Sequence, residues 1–374
     1  MRKLDSKFLI TCGIIISLPI IFIIVMILIR GCNGTKSYSR YEEMMVTKTK
    51  RYAKNHKMLP KRGKQAIIKL NNLLDDGMKS PEKILKDDSC SGSVVIKNYS
   101  NDLINKNYYS YIPYLECDNY KTEYIKDYLL KDVVSEGSGL YKMDNDEYVF
   151  KGNKVNNYVS FYGVIYRIIK IDEDNNMKLI KEKAQDISIN WDGKFNIDKN
   201  AYDGINNYRD SVIIDRLVSD YKNDKNFPNN SRTKVVPHSV CIGKRASTDL
   251  SVKITTECDD KIDNQVISLI GITDFTQASY DVNCKQLGDL SCTNYNYMAD
   301  FIDYTWTVDA LSDDSSKVYA IGSIGPEINR AVKYQKYNLV IYVNSEELYQ
   351  GGKGTEKDPY IIKWIYWQKN NNDI

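Results

Sequence analysis

Residues 158–183, YVSFYGVIYRIIKIDEDNNMKLIKEK, contain the pattern on which the fold depends. Apolar side chains fall on both faces of residues 164–171, which predicts a strand over 158–171 that lies inside a sheet rather than at its edge. Turn-forming residues fill 172–176, and a second strand is predicted over 177–183. The sequence therefore predicts a central β-hairpin.

More strands and one helix are predicted on either side of this hairpin. A short strand at 148–150 precedes it, and an amphipathic helix at 211–221 follows it. Residues 222–300 are predicted to form long loops, and loops of this length usually need either a function or cross-links to be ordered. Later strands are expected at 305–308, 318–321 and 338–343. Together these elements predict an α+β fold.

A separate stretch decides on which side of a membrane this fold lies. Residues 8–29, FLITCGIIISLPIIFIIVMILI, carry no charge and as a helix would span about 33 Å, which matches a hydrocarbon core of about 30 Å. A cleaved signal peptide has a shorter apolar region, and a lipidated Cys32 is disfavoured because Arg30 lies two residues before it. The sequence predicts a transmembrane signal anchor at 8–29 with a head at 1–7.

The orientation of this anchor is predicted from charge. The head carries Arg2, Lys3 and Lys7, which favours a cytoplasmic N-terminus, although the flank at 36–64 is also basic. Long domains cross the membrane largely regardless of charge, so the short head weighs more. We expect a single-pass protein of the cell membrane with an extracellular C-terminal domain; a membrane-tethered cytosolic scaffold is the alternative.

Six of the eight cysteines form close sequence neighbours. These are Cys90 with Cys117, Cys241 with Cys258, and Cys284 with Cys292. An even set with this spacing, in a chain that looks exported, predicts three local disulfides, although other pairings and free thiols are possible. No CxxC motif occurs and the chain has two histidines, so no metal site and no cofactor is expected.

The segment between the anchor and the hairpin predicts a smaller module at residues 30–131. A helical stalk is expected at 38–57, a second helix at 64–74, and two strands at 93–97 and 108–116. The Cys90–Cys117 disulfide would connect the two strands. The remaining residues, 132–374, are expected to form the larger domain.

Four motifs in this module resemble the pseudopilin-like ectodomain found in surface proteins of low-GC Gram-positive bacteria. They are YEEMMVTKTKRYAKNHKMLP at 41–60, LNNLLDDG at 70–77, CSGSVVI at 90–96 and YLEC at 114–117. The resemblance covers residues 38–125. The pilin processing signal is missing at residues 7–12, so the resemblance implies a stalk module, with a pilus- or secretion-associated component as an alternative.

Residues 137–363 resemble a domain of unknown function in surface proteins of the same bacteria. The matching stretches are 157–171, VPHSVCIGKR at 236–245, 283–297, YTWT at 304–307 and GGKGTEKDPY at 351–360. The fold of that domain is thought to be related to the C-type lectin and formylglycine-generating-enzyme group. The resemblance therefore implies a C-type-lectin-like α+β domain.

Trp191 and Asp192 are the candidate ligand-binding residues, because they begin a polar loop in which an aromatic ring could stack on a sugar. The competing interpretation is that Trp191 packs in the core and that Asp192 is a solvated turn residue. The glycine-rich segment at 351–355 lacks the order of residues in a phosphate-binding loop. A net charge of +3 does not indicate a nucleic-acid partner.

The sequence thus favours a membrane-anchored, extracellular, non-catalytic surface protein whose partner is a cell-wall polymer, a glycan or a surface protein. An exported enzyme related to the formylglycine-generating group is the alternative. Such an enzyme should carry a reactive cysteine pair or a metal constellation in its closing strands, and no cysteine follows Cys292.

Overall fold

The computed structural model describes residues 38–98, 109–223, 225–228 and 231–363. The anchor predicted at 8–29 and the head at 1–7 lie outside these residues. In the described part of the chain, none of the helices combines the length and the apolar character that a membrane span requires. The described residues divide into two compact units, 38–98 with 109–122 and 123–363, so the division falls earlier than the boundary predicted after residue 131.

Both helices and strands are present, and the fold class is α+β as predicted. The α-helices are α1 (38–55), α2 (Leu70–Asp75), α3 (Pro81–Leu85), α4 (Ile125–Leu129), α5 (Val212–Lys222) and α6 (Ile272–Ala278). Short 3-10 helices occupy Leu130–Asp132, Tyr208–Asp210, Ser231–Lys234, Glu257–Asp259, Leu290–Cys292 and Tyr297–Asp300.

The strands are short and numerous. They are β1 (Gln65–Lys69), β2 (Ser91–Asn98), β3 (Tyr109–Cys117), β4 (Tyr120–Lys121), β5 (Gly139–Lys142), β6 (Tyr148–Lys151), β7 (Tyr158–Phe161), β8 (Val164–Ile171), β9 (Asn176–Lys181), β10 (Ile189–Asn190), β11 (His238–Cys241), β12 (Lys261–Gln265), β13 (Thr305–Ala310), β14 (Lys317–Gly322), β15 (Gly325–Arg330), β16 (Tyr334–Gln335), β17 (Val340–Asn344), β18 (Leu348–Gly351) and β19 (Tyr360–Lys363).

The smaller unit packs helix α1 on an antiparallel sheet of order β1-β2-β3-β4. Tyr41 and Met45 of α1 are fully buried. A Cβ atom on Gly92 of β2 would lie 3.2 Å from Met45 Cε and 2.3 Å from the Tyr114 carbonyl oxygen. Glycine therefore lets the helix and the neighbouring strand approach β2 closely.

The prediction of a second helix at 64–74 is wrong for the first half of this range. Residues Gln65–Lys69 form strand β1, and only Leu70–Asp75 are helical. Ile68 is buried and pairs with Val94 of β2, whereas its neighbour Ile67 is 54% exposed. This alternation has the period of a strand, and pairing with β2 overrides the local helical pattern.

The larger unit is built on the predicted hairpin. Strand β8 lies between β7 and β9 in a sheet of order β17-β9-β8-β7-β19-β18, with β6 also pairing β8 and β5 pairing β6. The strand predicted over 158–171 is interrupted, because Tyr162 and Gly163 adopt φ angles of 51° and 85° and turn the chain between β7 and β8. The hairpin is therefore a three-strand meander whose middle strand is β8.

A second sheet, of order β13-β14-β15, supplies the other buried strands of this unit. Every residue of β13 is buried, and Trp306, its second residue, is among the largest fully buried side chains. Residues 222–300, predicted as long loops, contain α6, β11, β12 and several 3-10 turns. Two disulfides in this stretch cross-link it.

Candidate functional site

All six cysteines of the described residues are paired as the sequence predicts. The disulfides join Cys90 to Cys117, Cys241 to Cys258 and Cys284 to Cys292. Asp87 lies beside the first pair, and potential ligand atoms of Asp87, Cys90 and Cys117 lie within 4.8 Å of one another. Because the two sulfurs are bonded to each other, this group has no thiolate with which to bind a metal ion.

Trp191 is fully buried in the larger unit. Its indole Nε1 donates a hydrogen bond to the carbonyl oxygen of Thr307 at 3.0 Å, and its ring lies 5.8 Å from that of Tyr208. A buried indole satisfied by a backbone carbonyl is a packing element. No face of this ring is accessible for stacking on a sugar in the described conformation.

Asp192 is also fully buried, and its carboxylate organises the chain that follows. Oδ2 accepts hydrogen bonds from the backbone N–H groups of Ile205 at 2.8 Å and Lys194 at 3.2 Å. Oδ1 accepts one from the backbone N–H of Val212 at 3.3 Å. The role of Trp191 and Asp192 in ligand binding stays a prediction, since a ligand could reach them only after this loop had moved.

The larger unit has a cavity of about 640 Å³ beside the end of β9, which we call the β9–α5 cavity. Residues 163–165 and 181–187 form one part of its wall. The other part is formed by Arg216 and Asp220 of α5 and by Asn223, Lys225 and Asn226, which follow the helix. A volume in this range is typical of small-molecule sites. Most of its lining residues carry charged or amide side chains, and apolar atoms make up the larger part of its wall.

One wall of the β9–α5 cavity is fixed by a chain of hydrogen bonds. The Tyr337 hydroxyl accepts from Arg216 Nε at 2.9 Å and donates to Asp220 Oδ2 at 2.6 Å. Arg216 also forms an ion pair with Asp220 at 3.3 Å. Burial, together with the hydrogen bond to the Asp220 carboxylate, raises the pKa of Tyr337, so the hydroxyl stays protonated and keeps this arrangement.

The floor of the β9–α5 cavity is formed by a lysine and two side-chain amides. Lys181 Nζ donates to Gln185 Oε1 at 2.9 Å and to Asn226 Oδ1 at 3.1 Å. Asn226 is itself oriented by a bond from its Nδ2 to the Asp220 carbonyl oxygen at 3.3 Å. Burial lowers the pKa of the Lys181 ammonium. Its two hydrogen-bond acceptors, Gln185 and Asn226, are both neutral.

None of these cavity residues was singled out from the sequence. Arg216 and Asp220 are one turn apart on α5 and Asn223 directly follows the helix; in the sequence such polar residues read as a solvated helix face, but Asp220 is buried beside Leu217. The sequence predicts a strand over 177–183, and residues 184–187 follow it without a recognisable site motif. Only the fold brings these two segments together.

A second group of buried charges lies around the start of α6. Asp274 pairs with Lys178 at 2.6 Å, and Arg245 pairs with Glu257. Asp309 on β13 accepts a hydrogen bond from the Ile272 backbone N–H at 2.7 Å. Burial, aided by the Glu257 carboxylate, raises the pKa of Asp309 to about 7. This group is enclosed, and its partners are other protein groups.

Comparison of the chain with known protein families, with characterised proteins and with solved structures found no match in any of the three.

Proposed function

We propose that this chain is a membrane-anchored, extracellular, non-catalytic protein that binds a wall polymer, a glycan or another surface protein. The observation that carries the proposal is the β9–α5 cavity, whose donors and acceptors are held in place by protein hydrogen bonds. Polar groups that need no rearrangement lower the entropic cost of binding. Amide side chains such as Gln185 and Asn226 suit a ligand rich in hydroxyl or amide groups.

Export is supported by the three disulfides, because such bonds persist mainly in oxidising compartments. The apolar run at 8–29 supports a membrane anchor, because it is uncharged and as a helix would be about as long as the hydrocarbon core is thick. A binding protein is favoured over an enzyme that uses thiol chemistry, because each cysteine of the described residues is bonded to a partner.

The finer fold assignments belong to this proposal as well. In the larger unit, a central hairpin, a cross-linked segment at 222–300 and a closing strand β19 are the features that favour a C-type-lectin-like domain. In the smaller unit, a helix on an antiparallel sheet with one disulfide favours a pseudopilin-like stalk module. Fold resemblance supports the class of domain, whereas ligand binding is argued from the cavity.

The location is tested by labelling intact cells that express the full chain with a membrane-impermeant maleimide, before and after reduction. In a chain carrying Cys12→Ser and Cys32→Ser, which leaves only the paired cysteines, we expect labelling only after reduction, because the six ectodomain cysteines are bonded on the outer surface. Labelling that requires lysis but not reduction would place free thiols in the cytosol and contradict the proposal.

Binding is tested with the full chain in detergent micelles and a panel of purified wall polymers and glycans. Ala184→Trp should fill the β9–α5 cavity and abolish binding, since Ala184 lines it. Ala299→Trp is the matched control, because Ala299 is exposed and lies outside the lining. If the two variants bind equally well, the cavity is not the site.

A further inference from the structure

Lys181 is the most informative group in the β9–α5 cavity. It is the last residue of β9, and its backbone N–H donates to the Leu339 carbonyl oxygen at 2.8 Å, so the base of the side chain is fixed by the sheet. The side chain then reaches the cavity, where its ammonium donates to Gln185 and Asn226. These two bonds leave one N–H of the ammonium for another acceptor.

Both of the acceptors are neutral amides. A half-buried ammonium normally has a carboxylate partner, because a charge that has been moved away from water is costly unless an opposite charge compensates for it. Among the described residues, no carboxylate forms an ion pair with Lys181; Asp186 and Asp220 act on it only at longer range. The positive charge is therefore compensated incompletely by the protein.

The acidic residues of the cavity do not correct this imbalance. Asp220, the most buried of them, is already bonded to the Tyr337 hydroxyl and paired with Arg216. Asp186 is exposed to solvent, as are the further cations Lys183 and Lys225. Glu182 also lines the cavity, so with Asp220 and Arg216 paired the remaining charges are three cations (Lys181, Lys183 and Lys225) against two carboxylates (Glu182 and Asp186), a net charge of +1.

We propose that the β9–α5 cavity binds an anionic group, a carboxylate or a phosphate, through the unused N–H of Lys181. The inference rests on the proposed function, and it adds the class of ligand. Gln185 and Asn226 hold the ammonium in position, and Lys225 provides further positive charge at the rim. Charge-assisted hydrogen bonds to an ammonium are stronger than those between neutral groups, which would select an anionic polymer over a neutral one.

The test measures binding of the full chain, in neutral detergent, to three probes of similar length. The probes are a glycerol-phosphate oligomer, a uronic-acid oligomer and a neutral dextran. Lys181→Met removes the charge and keeps most of the length of the side chain, and we expect it to weaken binding of the anionic probe about tenfold or more. Lys285→Met is the control, because Lys285 is exposed and lies outside the cavity.

Lys225→Met is a second variant at the exposed rim, which keeps the test decisive if Lys181→Met does not fold. Lys225→Met should weaken binding of the same anionic probe about threefold. Added salt should weaken binding of that probe to the wild-type chain.

Each outcome has a defined meaning. Binding of the phosphate probe or of the carboxylate probe, lost in Lys181→Met, supports the inference and identifies the source of the anion. Equal binding of the neutral dextran, unaffected by Lys181→Met, overturns the anionic class while the proposed function stands. If none of the three probes and no polymer of the wider panel binds in a way that Ala184→Trp abolishes, both the inference and the proposed function are overturned.

Discussion

Trp191 and Trp306 each donate an indole hydrogen bond to the backbone of the other's segment. Trp191 Nε1 donates to the carbonyl oxygen of Thr307 at 3.0 Å, and Trp306 Nε1 donates to that of Ile189 at 2.7 Å. Both rings are fully buried. The segment around β10 and strand β13 are therefore connected twice, although more than a hundred residues of sequence separate them.

Trp306→Phe should lower the free energy of unfolding by about 1–3 kcal/mol, since it removes the donor to the partly buried Ile189 carbonyl and reduces the packed volume. Trp191→Phe should have a similar effect. Because both bonds connect the same two segments, the double variant should lose less than the sum of the single losses. Urea unfolding of the four proteins measures this, and strictly additive losses would argue that the two bonds act independently.

Gly204 and Gly288 provide a matched pair for testing the loop that Asp192 organises. Both have positive φ angles, 76° and 89°. A Cβ on Gly204 would lie 2.5 Å from the Asp192 carbonyl oxygen and 2.9 Å from Ala331 Cβ, whereas Gly288 has open space. Gly288→Ala should cost about 1–2 kcal/mol for the backbone conformation alone, and Gly204→Ala roughly 1–3 kcal/mol more for the clash. Equal losses in denaturant unfolding would refute the close approach.

Asp309 should make stability depend on pH. In the unfolded chain its pKa is about 3.9, whereas burial raises the pKa of Asp309 to about 7 in the folded protein. A folded-state pKa above the unfolded one means that the folded protein holds the extra proton between these values. The stabilisation is therefore complete below about pH 4 and is lost as the pH rises through about 7.

Asp309→Asn keeps an acceptor for the Ile272 N–H and has no proton to lose. The melting temperature of this variant relative to the wild type should rise between about pH 4 and about pH 7, where the folded wild type keeps a proton that its unfolded chain has lost, and should level off above about pH 7. Asp303→Asn, at an exposed position, is the control and should track the wild type. A constant difference between Asp309→Asn and the wild type over this range would show that Asp309 does not titrate there.

The two disulfides of the larger unit should stabilise it unequally. Replacing both cysteines of a pair by serine should cost about 2–4 kcal/mol. Cys241 and Cys258 are 17 residues apart and Cys284 and Cys292 are 8 apart, so loss of the first pair should cost roughly 0.7 kcal/mol more in the chain-entropy account. Denaturant unfolding of the two double variants measures the difference; the opposite order would mean that packing, not loop closure, dominates.

The spacing of apolar residues within a segment correctly predicted those strands and helices whose buried face is determined by that segment alone. Apolar residues on both faces of 164–171 indicated a central strand, and β8 has neighbours on both sides. The turn at Tyr162 and Gly163 was missed, although a glycine between two apolar runs is a signal for it. The helix expected at 64–74 was half wrong, because Ile68 pairs with Val94, a contact that no local window contains.

The site was harder to predict, for a related reason. Trp191 lies in a loop by sequence and is buried by strand β13, which supplies the Thr307 carbonyl. The cavity residues come from the end of β9 and from α5, and their polar side chains have the spacing of ordinary surface positions. That Lys181 faces two amides and no carboxylate depends on where Asn226 lies, which the hydrogen bonds of α5 and its following turn determine.

The placement of β19 sets the order in which the larger unit can be completed. Tyr360 of β19 pairs in parallel with Val159 of β7, so a strand from residues 360–363 fills the place beside one from residues 158–161. During synthesis on the ribosome, β7, β8 and β9 emerge long before β19 does. Throughout that interval β7 has an unpaired edge that can capture a strand of another nascent chain. The newly made protein is therefore most exposed to mispairing until β19 is released.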